Sequence, residues 1–533
     1  MASPFDEKQR APVEGISVNI PQTENDVKIH PQPTSDPLDP LNWSWVRKHS
    51  ILGIVMLKYF LFTYITTTTV PSFPAIQAQF EISYDQVNWT VAIPALGLSV
   101  GPLLWSSLAD IYGRRIIFIV GTVISFVSSI GAAVADKYAG YMAARFFQGL
   151  GVSPGATVGM AVVNDLFFDY ERGQKLGFWV LALDSGLLLG PTFGGFLNLV
   201  SAAWINWFTA ILFGLLFVLE LFFMPETLYP RSLMLTHPSS SESILSALEE
   251  NKKPHSSSPP TSTSTSTSTP PPSTTAQEKT IPRTQTLPIL NFRPIPGLNH
   301  PRPWSATHRF LLTFRLPVIV LAVTGYSFTW YWWILSIITM MPAAYESHPP
   351  VIQGLLFLGL LLGTVISEAF LSGRLSDRLM RVLSARNGGI RVPEMRLWMA
   401  YPAVVVSGVG LVVWGVSVER SWHWVIGQVG LFLFASGLQI GNTITSAYIV
   451  DCYPLQSSSI VVFYAVVLNL SAFVNPFFIS PWYASTGWIW TFTTQALIAV
   501  GAGTGVFACL HYFGGWMRRK TTMPVWVNAE FDS

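Results

Sequence analysis

The chain has 533 residues; half are apolar, 14% are aromatic and only 11% are Asp, Glu, Lys or Arg. Soluble domains carry about 25% charged residues, so a string of soluble domains is excluded and a polytopic membrane protein is indicated. A net charge of +2 leaves no excess of cations for nucleic-acid phosphates, and two cysteines, Cys452 and Cys509, cannot build a secreted disulfide scaffold.

Residues 1–48 are polar and contain no apolar run before the first span, so they read as a cytoplasmic N-terminal tail. A hydrocarbon core of about 30 Å needs about 20 helical residues. Runs of that kind occur at 50–71, 87–108, 116–135, 140–163, 176–198 and 203–224. After a long gap they resume at 316–341, 351–372, 397–417, 422–447, 459–481 and 487–512. The expectation is an all-α polytopic membrane protein with twelve transmembrane helices in two six-helix halves, 49–225 and 313–512. Residues 226–312 read as a disordered cytoplasmic linker, because the Thr-Ser repeat from Thr261 to Thr269 cannot bury apolar surface. Residues 513–533 read as a cytoplasmic tail.

Lys and Arg set the orientation. With both termini in the cytoplasm, only Lys137 and Arg420 fall in outer loops. Two inner loops then repeat one another. The first, after span two, reads Ser106-Ser107-Leu108-Ala109-Asp110-Ile111-Tyr112-Gly113-Arg114-Arg115. The second, after span eight, reads Gly373-Arg374-Leu375-Ser376-Asp377-Arg378. A duplicated six-span unit is a transporter architecture, with the site near the midplane between the halves.

The first of these loops resembles motif A of the major facilitator superfamily, departing from it at Ser106 and Ile111; the second resembles a truncated copy. Arg145-Phe146-Phe147-Gln148-Gly149-Leu150-Gly151 in span four is similar to that superfamily's R-x-x-Q-G-x-G signature. Gly186 to Gly195 in span five matches the antiporter signature G-x-x-x-G-P-x-x-G-G at Gly186, Gly190, Pro191, Gly194 and Gly195. The segments 39–43, 387–394 and 448–454 resemble fungal members of the twelve-span drug:proton antiporter group. That resemblance implies a major facilitator fold and proton-coupled movement of small organic molecules. The group holds exporters of drugs and toxins and also importers of polyamines and cations.

A conformational latch is expected at the inner loops, from Asp110, Gly113, Arg114, Arg115 and Asp165 and, in the second copy, Asp377 and Arg378. A carboxylate there accepts from a helix N-terminus and pairs with Arg114 in one state and not another. The glycines of span five make a flat stripe for close helix approach, and Pro191 bends the helix.

Charged residues inside spans are functional suspects. Lys58 and Asp184 lie at similar depth, as an ion pair lining the cavity; snorkelling of Lys58 is the competing reading. Arg145, Asp184, Glu220 and Glu368 are the candidates for proton coupling, Arg145 through the resemblance. For Glu220 and Glu368, gating bridges to Arg231 or Arg374 stand beside proton carriage. Asp451 is read as a cap or gate. The substrate wall is drawn from Lys58, from Tyr326, Trp330 and Trp333 on one face of span seven, from Gln439 and Asn442 in span ten and from Asn469 in span eleven. Aromatics facing lipid are the alternative.

Four function classes compete. An exporter of a drug, toxin or secondary metabolite by proton antiport is the leading one. Proton-coupled uptake of an organic cation or polyamine is the second, weakened by a midplane offering Asp184 opposed by Lys58. A membrane enzyme is disfavoured because the nine histidines form no H-x-x-H, H-x-x-x-H or H-E-x-x-H cluster. An ATP-driven pump lacks G-x-x-x-x-G-K-[ST]. The expected partners are a small-molecule substrate, protons and the lipid bilayer, with no nucleic acid, no cofactor and no metal. A monomer in the plasma membrane is expected, the vacuolar membrane being the alternative.

Overall fold

The computed structural model describes Pro33 and residues 37–229 and 301–521, apart from 373, 389, 391, 454 and 455. The Thr-Ser linker, Arg231 and most of both terminal tails lie outside the described residues, as do the side chains of Arg374 and Asp377.

Every long element is a helix, as a lipid setting requires when each backbone N–H and C=O must find its partner within the segment. In the first half they are α1 (Trp45–Thr67), α2 (Tyr84–Tyr112), α3 (Arg114–Ala133), α4 (Tyr138–Leu166), α5 (Asp169–Leu197) and α6 (Ala202–Phe223). In the second half they are α7 (Pro317–Ala344), α8 (Pro350–Ser372), α9 (Ala400–Glu419) and α10 (Trp424–Cys452). The last helical stretch, Ser457–Lys520, turns at Gly487, where φ is 72°, and so supplies α11 before the turn and α12 after it. The twelve expected spans are all present, most of them longer than expected at one or both ends.

Local sequence explains several boundaries. Ser83 and Gln86 form a reciprocal capping box at the start of α2. Gly113 separates α2 from α3 with φ of 101°, a conformation that excludes a Cβ at little cost only for glycine. Two helices contain π-helical turns, Ser327–Tyr331 in α7 and Ser367–Ser372 in α8. Such turns shift the side-chain register and are concentrated at functional sites.

The halves meet along α2 against α11 and α5 against α8. They are joined at both ends. At one end Asn88 Nδ2 donates to Ser480 Oγ at 2.7 Å, and Thr192 Oγ1 donates to the Gly354 carbonyl at 2.9 Å. At the opposite end Ser107 Oγ lies 3.1 Å from Ser305 Oγ and accepts from the Ala306 N–H at 2.9 Å. Ser305 opens the short helix Ser305–Thr313 that leads into α7.

Candidate functional site

Two carboxylates face one another across the seam between the halves. Asp184 comes from α5, and Glu368 comes from the π-helical turn of α8. They are electrostatic neighbours, and Gln439 of α10 reaches both. Gln439 Nε2 donates to Glu368 Oε2 at 2.9 Å, and Thr443 Oγ1 donates to the same oxygen at 3.0 Å. Asp184 Oδ2 is buried and takes no hydrogen bond from the described residues.

Four tyrosines are electrostatic neighbours of Asp184: Tyr59 of α1, Tyr326 and Tyr331 of α7, and Tyr464 of α11. Tyr326 stands 5.8 Å from Tyr464 and 6.3 Å from Tyr331 between ring centroids. Tyr59 stacks on Trp179 at 4.0 Å, and the Tyr464 hydroxyl donates to Asn442 Oδ1 at 2.7 Å. Two neighbouring carboxylates repel when both are ionised; a proton or a cation placed between them relieves that repulsion.

The expected Lys58–Asp184 pair does not form. Lys58 is fully buried inside the first half, where Nζ reaches the Phe118 carbonyl at 2.6 Å, Thr122 Oγ1 at 2.8 Å and Glu220 Oε1 at 3.1 Å. Snorkelling is excluded by the same geometry. Glu220, one of the proton-coupling candidates, is held in this pair, and the alternative bridge to Arg231 falls outside the described residues. Depth along the helix is readable from sequence, but which face Lys58 presents depends on how α1, α3 and α6 pack.

Arg145 is likewise buried within the first half. Its Nη1 donates to Gln148 Oε1 at 2.8 Å, and its Nη2 donates to the carbonyls of Ile65 at 2.6 Å and Thr90 at 3.3 Å. Pro94 lacks the N–H that would serve Thr90, so Arg145 satisfies a carbonyl freed by proline. With Lys58 it accounts for the basic residues in the middle of the spans. Both are engaged away from Asp184 and Glu368.

On α7 the helical spacing predicts Tyr326, Trp330 and Trp333 facing the cavity together. The structure corrects this. Trp330 is fully buried in the second half, donating from Nε1 to Ser407 Oγ at 2.7 Å and resting on Gly441. Trp333 packs against Trp332 and Trp482. Trp330 keeps its place beside Tyr326, at 5.8 Å between ring centroids, and the wider π-helical turn adds Tyr331, five residues on, at 6.3 Å. Asn469 donates to the Ala465 carbonyl of its own helix at 2.7 Å. Tyr59, Tyr331, Tyr464 and Thr443 were not singled out from the sequence, which carries no signal for a π-helical turn.

The glycine stripe of α5 lies against α1. A Cβ on Gly186, Gly190 or Gly194 would overlap the Phe60 carbonyl, the Thr67 hydroxyl or the Thr68 carbonyl respectively. A Cβ on Gly195 would meet the Pro350 carbonyl of α8 across the seam. Pro191 leaves the Leu187 carbonyl without its helical donor, and Thr67 Oγ1 supplies one at 2.9 Å.

At the inner loop, Arg114 Nε lies 2.8 Å from Asp165 Oδ2, and its Nη1 lies 3.9 Å from Asp110 Oδ1. Arg309, from the helix preceding α7, is a further electrostatic neighbour of Asp110 and links this cluster to the other half. Arg115 Nη2 donates to the Leu221 carbonyl at 2.6 Å. Glu226, just beyond α6, was missed: it accepts the N–H groups of Arg114 at 2.9 Å and Arg115 at 3.1 Å, capping the start of α3. Burial pushes the Glu226 carboxyl up, opposed by these backbone donors and by Arg114. In the second copy Arg378 is exposed. Asp451 instead pairs with Arg396 at 2.7 Å.

A recess of about 560 Å³ opens between the halves at the end marked by Ser480. Asp85 and Tyr84 of α2 line it on one side, and Glu346 and Tyr483 on the other.

The profile described as Major Facilitator Superfamily matches residues 55–476. An uncharacterised transporter of Schizosaccharomyces pombe is 26% identical over 95% of this chain and 97% of its own length. Protein HOL1 of Saccharomyces cerevisiae is 26% identical over 94% of this chain and 92% of its own. The MFS-type efflux pump MFS2 of Trichophyton rubrum is 25% identical over 91% of this chain and 75% of its own. Among solved structures, the xylose transporter XylE of E. coli in a partially occluded inward-open conformation superposes with a TM-score of 0.54 at 14% identity. It covers 87% of this chain and 99% of its own length. The human organic anion transporter MFSD10 gives 0.52 at 15% identity, covering 86% and 99%. These likenesses carry the fold.

Proposed function

Because this chain belongs to the major facilitator superfamily, a family of membrane transporters and not of enzymes, we propose that it exports small organic molecules in exchange for protons by alternating access. The observation that carries the reading is that Asp184 and Glu368 are electrostatic neighbours at the seam between the halves, while Lys58 and Arg145 are engaged elsewhere. A group that must exchange a proton for a substrate needs a carboxylate reached alternately from each side, and the seam is where rocking of the halves opens access. The α5 glycine stripe supports that motion by keeping α5 close to α1 while Pro191 lets it bend. The printed name of the Trichophyton rubrum relative supports export. The excess of Lys and Arg in the inner loops supports cytoplasmic termini, with a monomer in the plasma membrane as the working arrangement.

Uptake of an organic cation is the second reading. Glu368 beside Asp184 strengthens it, as does the recess bearing Asp85 and Glu346.

The test is accumulation of a labelled panel in cells expressing the chain, with and without a protonophore. The panel holds a fluorescent aromatic cation, a neutral aromatic compound and spermidine. Export predicts lower accumulation than in control cells, abolished by the protonophore. Higher accumulation of any member selects uptake instead. Accumulation that ignores the protonophore overturns proton coupling.

A further inference from the structure

We propose that the short helix Arg374–Arg386, between α8 and α9, is an interfacial element that docks on the anionic phospholipid headgroups of the surrounding bilayer.

The sequence expectation for this segment is a second copy of the latch loop. The two copies differ in the structure. In the first half α2 passes into α3 through Gly113 alone. In the second half α8 ends at Ser372, and a helix of 13 residues follows before the Pro393–Met399 turn leads into α9. Between 374 and 391 the chain carries five arginines, Arg374, Arg378, Arg381, Arg386 and Arg391, against one acid, Asp377. Holding topology requires positive charge near the end of a span, not a folded helix to present it.

The helix has one covered face. Ser376, Met380 and Ser384, at i, i+4 and i+8, are buried, and the helix packs on the end of α8 and on the Pro393–Met399 turn. The other face is uncovered and mixed. Leu375 and Val382, two turns apart in one row, are 44% and 50% exposed, and the exposed Arg378 and Arg386 flank that row on either side. A face meeting only water gains nothing from this leucine and valine. A helix lying in the headgroup region buries them at the acyl boundary while its arginines reach the phosphates.

The position of the helix fits that level. Only Gly373 separates it from α8, so it begins where a span leaves the hydrocarbon. Trp398, in the turn on which it packs, is 52% exposed, with its ring 4.8 Å from His511 of α12. Further along α12, Trp516 is exposed, with Lys520 Nζ 4.4 Å from its ring. Exposed tryptophans beside basic groups mark the headgroup level of a span end. Charge then selects the lipid. Guanidinium groups bind phosphate oxygens in pairs, and a net positive face gathers anionic headgroups in preference to zwitterionic ones.

The experiment uses the purified full chain with Val382→Cys labelled by an NBD fluorophore, in a Cys509→Ser background, since the other native thiol, Cys452, is buried. The protein is placed in nanodiscs of phosphatidylcholine, alone or mixed with phosphatidylserine. The readout is the rate at which aqueous dithionite reduces the fluorophore. Phosphatidylserine is expected to slow reduction at least about threefold, and raised salt to weaken that protection. Arg378→Gln together with Arg386→Gln is expected to remove the difference between the lipids. Both arginines are exposed, so an unchanged unfolding midpoint in phosphatidylcholine identifies a folded double variant. A label at Arg420→Cys, just beyond α9 at the opposite end of that span, should show no dependence on phosphatidylserine. Equal reduction rates in the two lipids overturn the proposal. Slow reduction in both lipids, indifferent to the arginine substitutions, leaves an apolar contact and overturns anionic recognition. The same protection given in detergent by inorganic phosphate or inositol hexakisphosphate assigns the face to a soluble phosphate and overturns the bilayer as its partner.

Discussion

Lys58 Nζ and Glu220 Oε1 stand 3.1 Å apart, with neither side chain exposed, in the interior of the first helical half. Nothing about this pair opens onto the seam where the halves separate. Its energetics are those of a buried ion pair: removing one partner strands a charge, whereas replacing both can be nearly neutral.

Lys58→Met and Glu220→Leu should therefore each destabilise the protein by about 3–5 kcal/mol, and the double variant by much less. Thermal unfolding in detergent measures this. Additive losses in the double variant would show that the two side chains act independently.

The acidic pair at the seam behaves differently. Asp184→Asn should leave folding intact, because the amide keeps an oxygen for Gln439 and Oδ2 has no hydrogen bond from the described residues to lose. It should remove the dependence of transport on the pH gradient and cut proton-driven flux at least tenfold. Flux against gradients from pH 6 to 8 in vesicles reads this out. An unchanged pH profile would exclude Asp184 from proton exchange.

The glycine stripe sets a steric limit. Gly194→Ala places a methyl on the Thr68 carbonyl and should cost at least tenfold in transport, by forcing α5 off α1. Gly53→Ala is the control, since a Cβ there meets nothing within 4 Å. Equal activity in the two variants would mean that the close approach is dispensable.

The π-helical turn in α7 separates two aromatic residues that sequence spacing cannot. Trp330→Phe should lower stability by about 1 kcal/mol through loss of the hydrogen bond to Ser407, with KM unchanged. Tyr331→Ala should raise KM several-fold. A raised KM for Trp330→Phe would put that ring back at the substrate.

Glu226 caps the inner end of α3 through the Arg114 and Arg115 N–H groups. Glu226→Ala should cost about 1 kcal/mol, as loss of a helix cap does. It should also raise the reactivity of cysteines introduced at the inner mouth, because the cap helps hold that end together. Unchanged labelling would confine Glu226 to stability.

Sequence alone determined the twelve spans, because the hydrocarbon thickness fixes their length and lipid leaves the backbone no alternative to the helix. It also located the glycine stripe and the Asp110–Arg114 loop, since both depend on residues adjacent along one helix or one turn. It placed Asp184 and Glu368 at membrane depth without pairing them. The tertiary structure decided the neighbours: Lys58 went to Glu220, Asp184 became an electrostatic neighbour of Glu368, and Tyr331 joined Trp330 beside Tyr326. Hydropathy reports how deep a residue lies in the bilayer. Helix rotation, set by packing and by two π-helical turns, decides which charge meets which, and it puts Lys58 on Glu220 where the spacing had suggested an ion pair with Asp184.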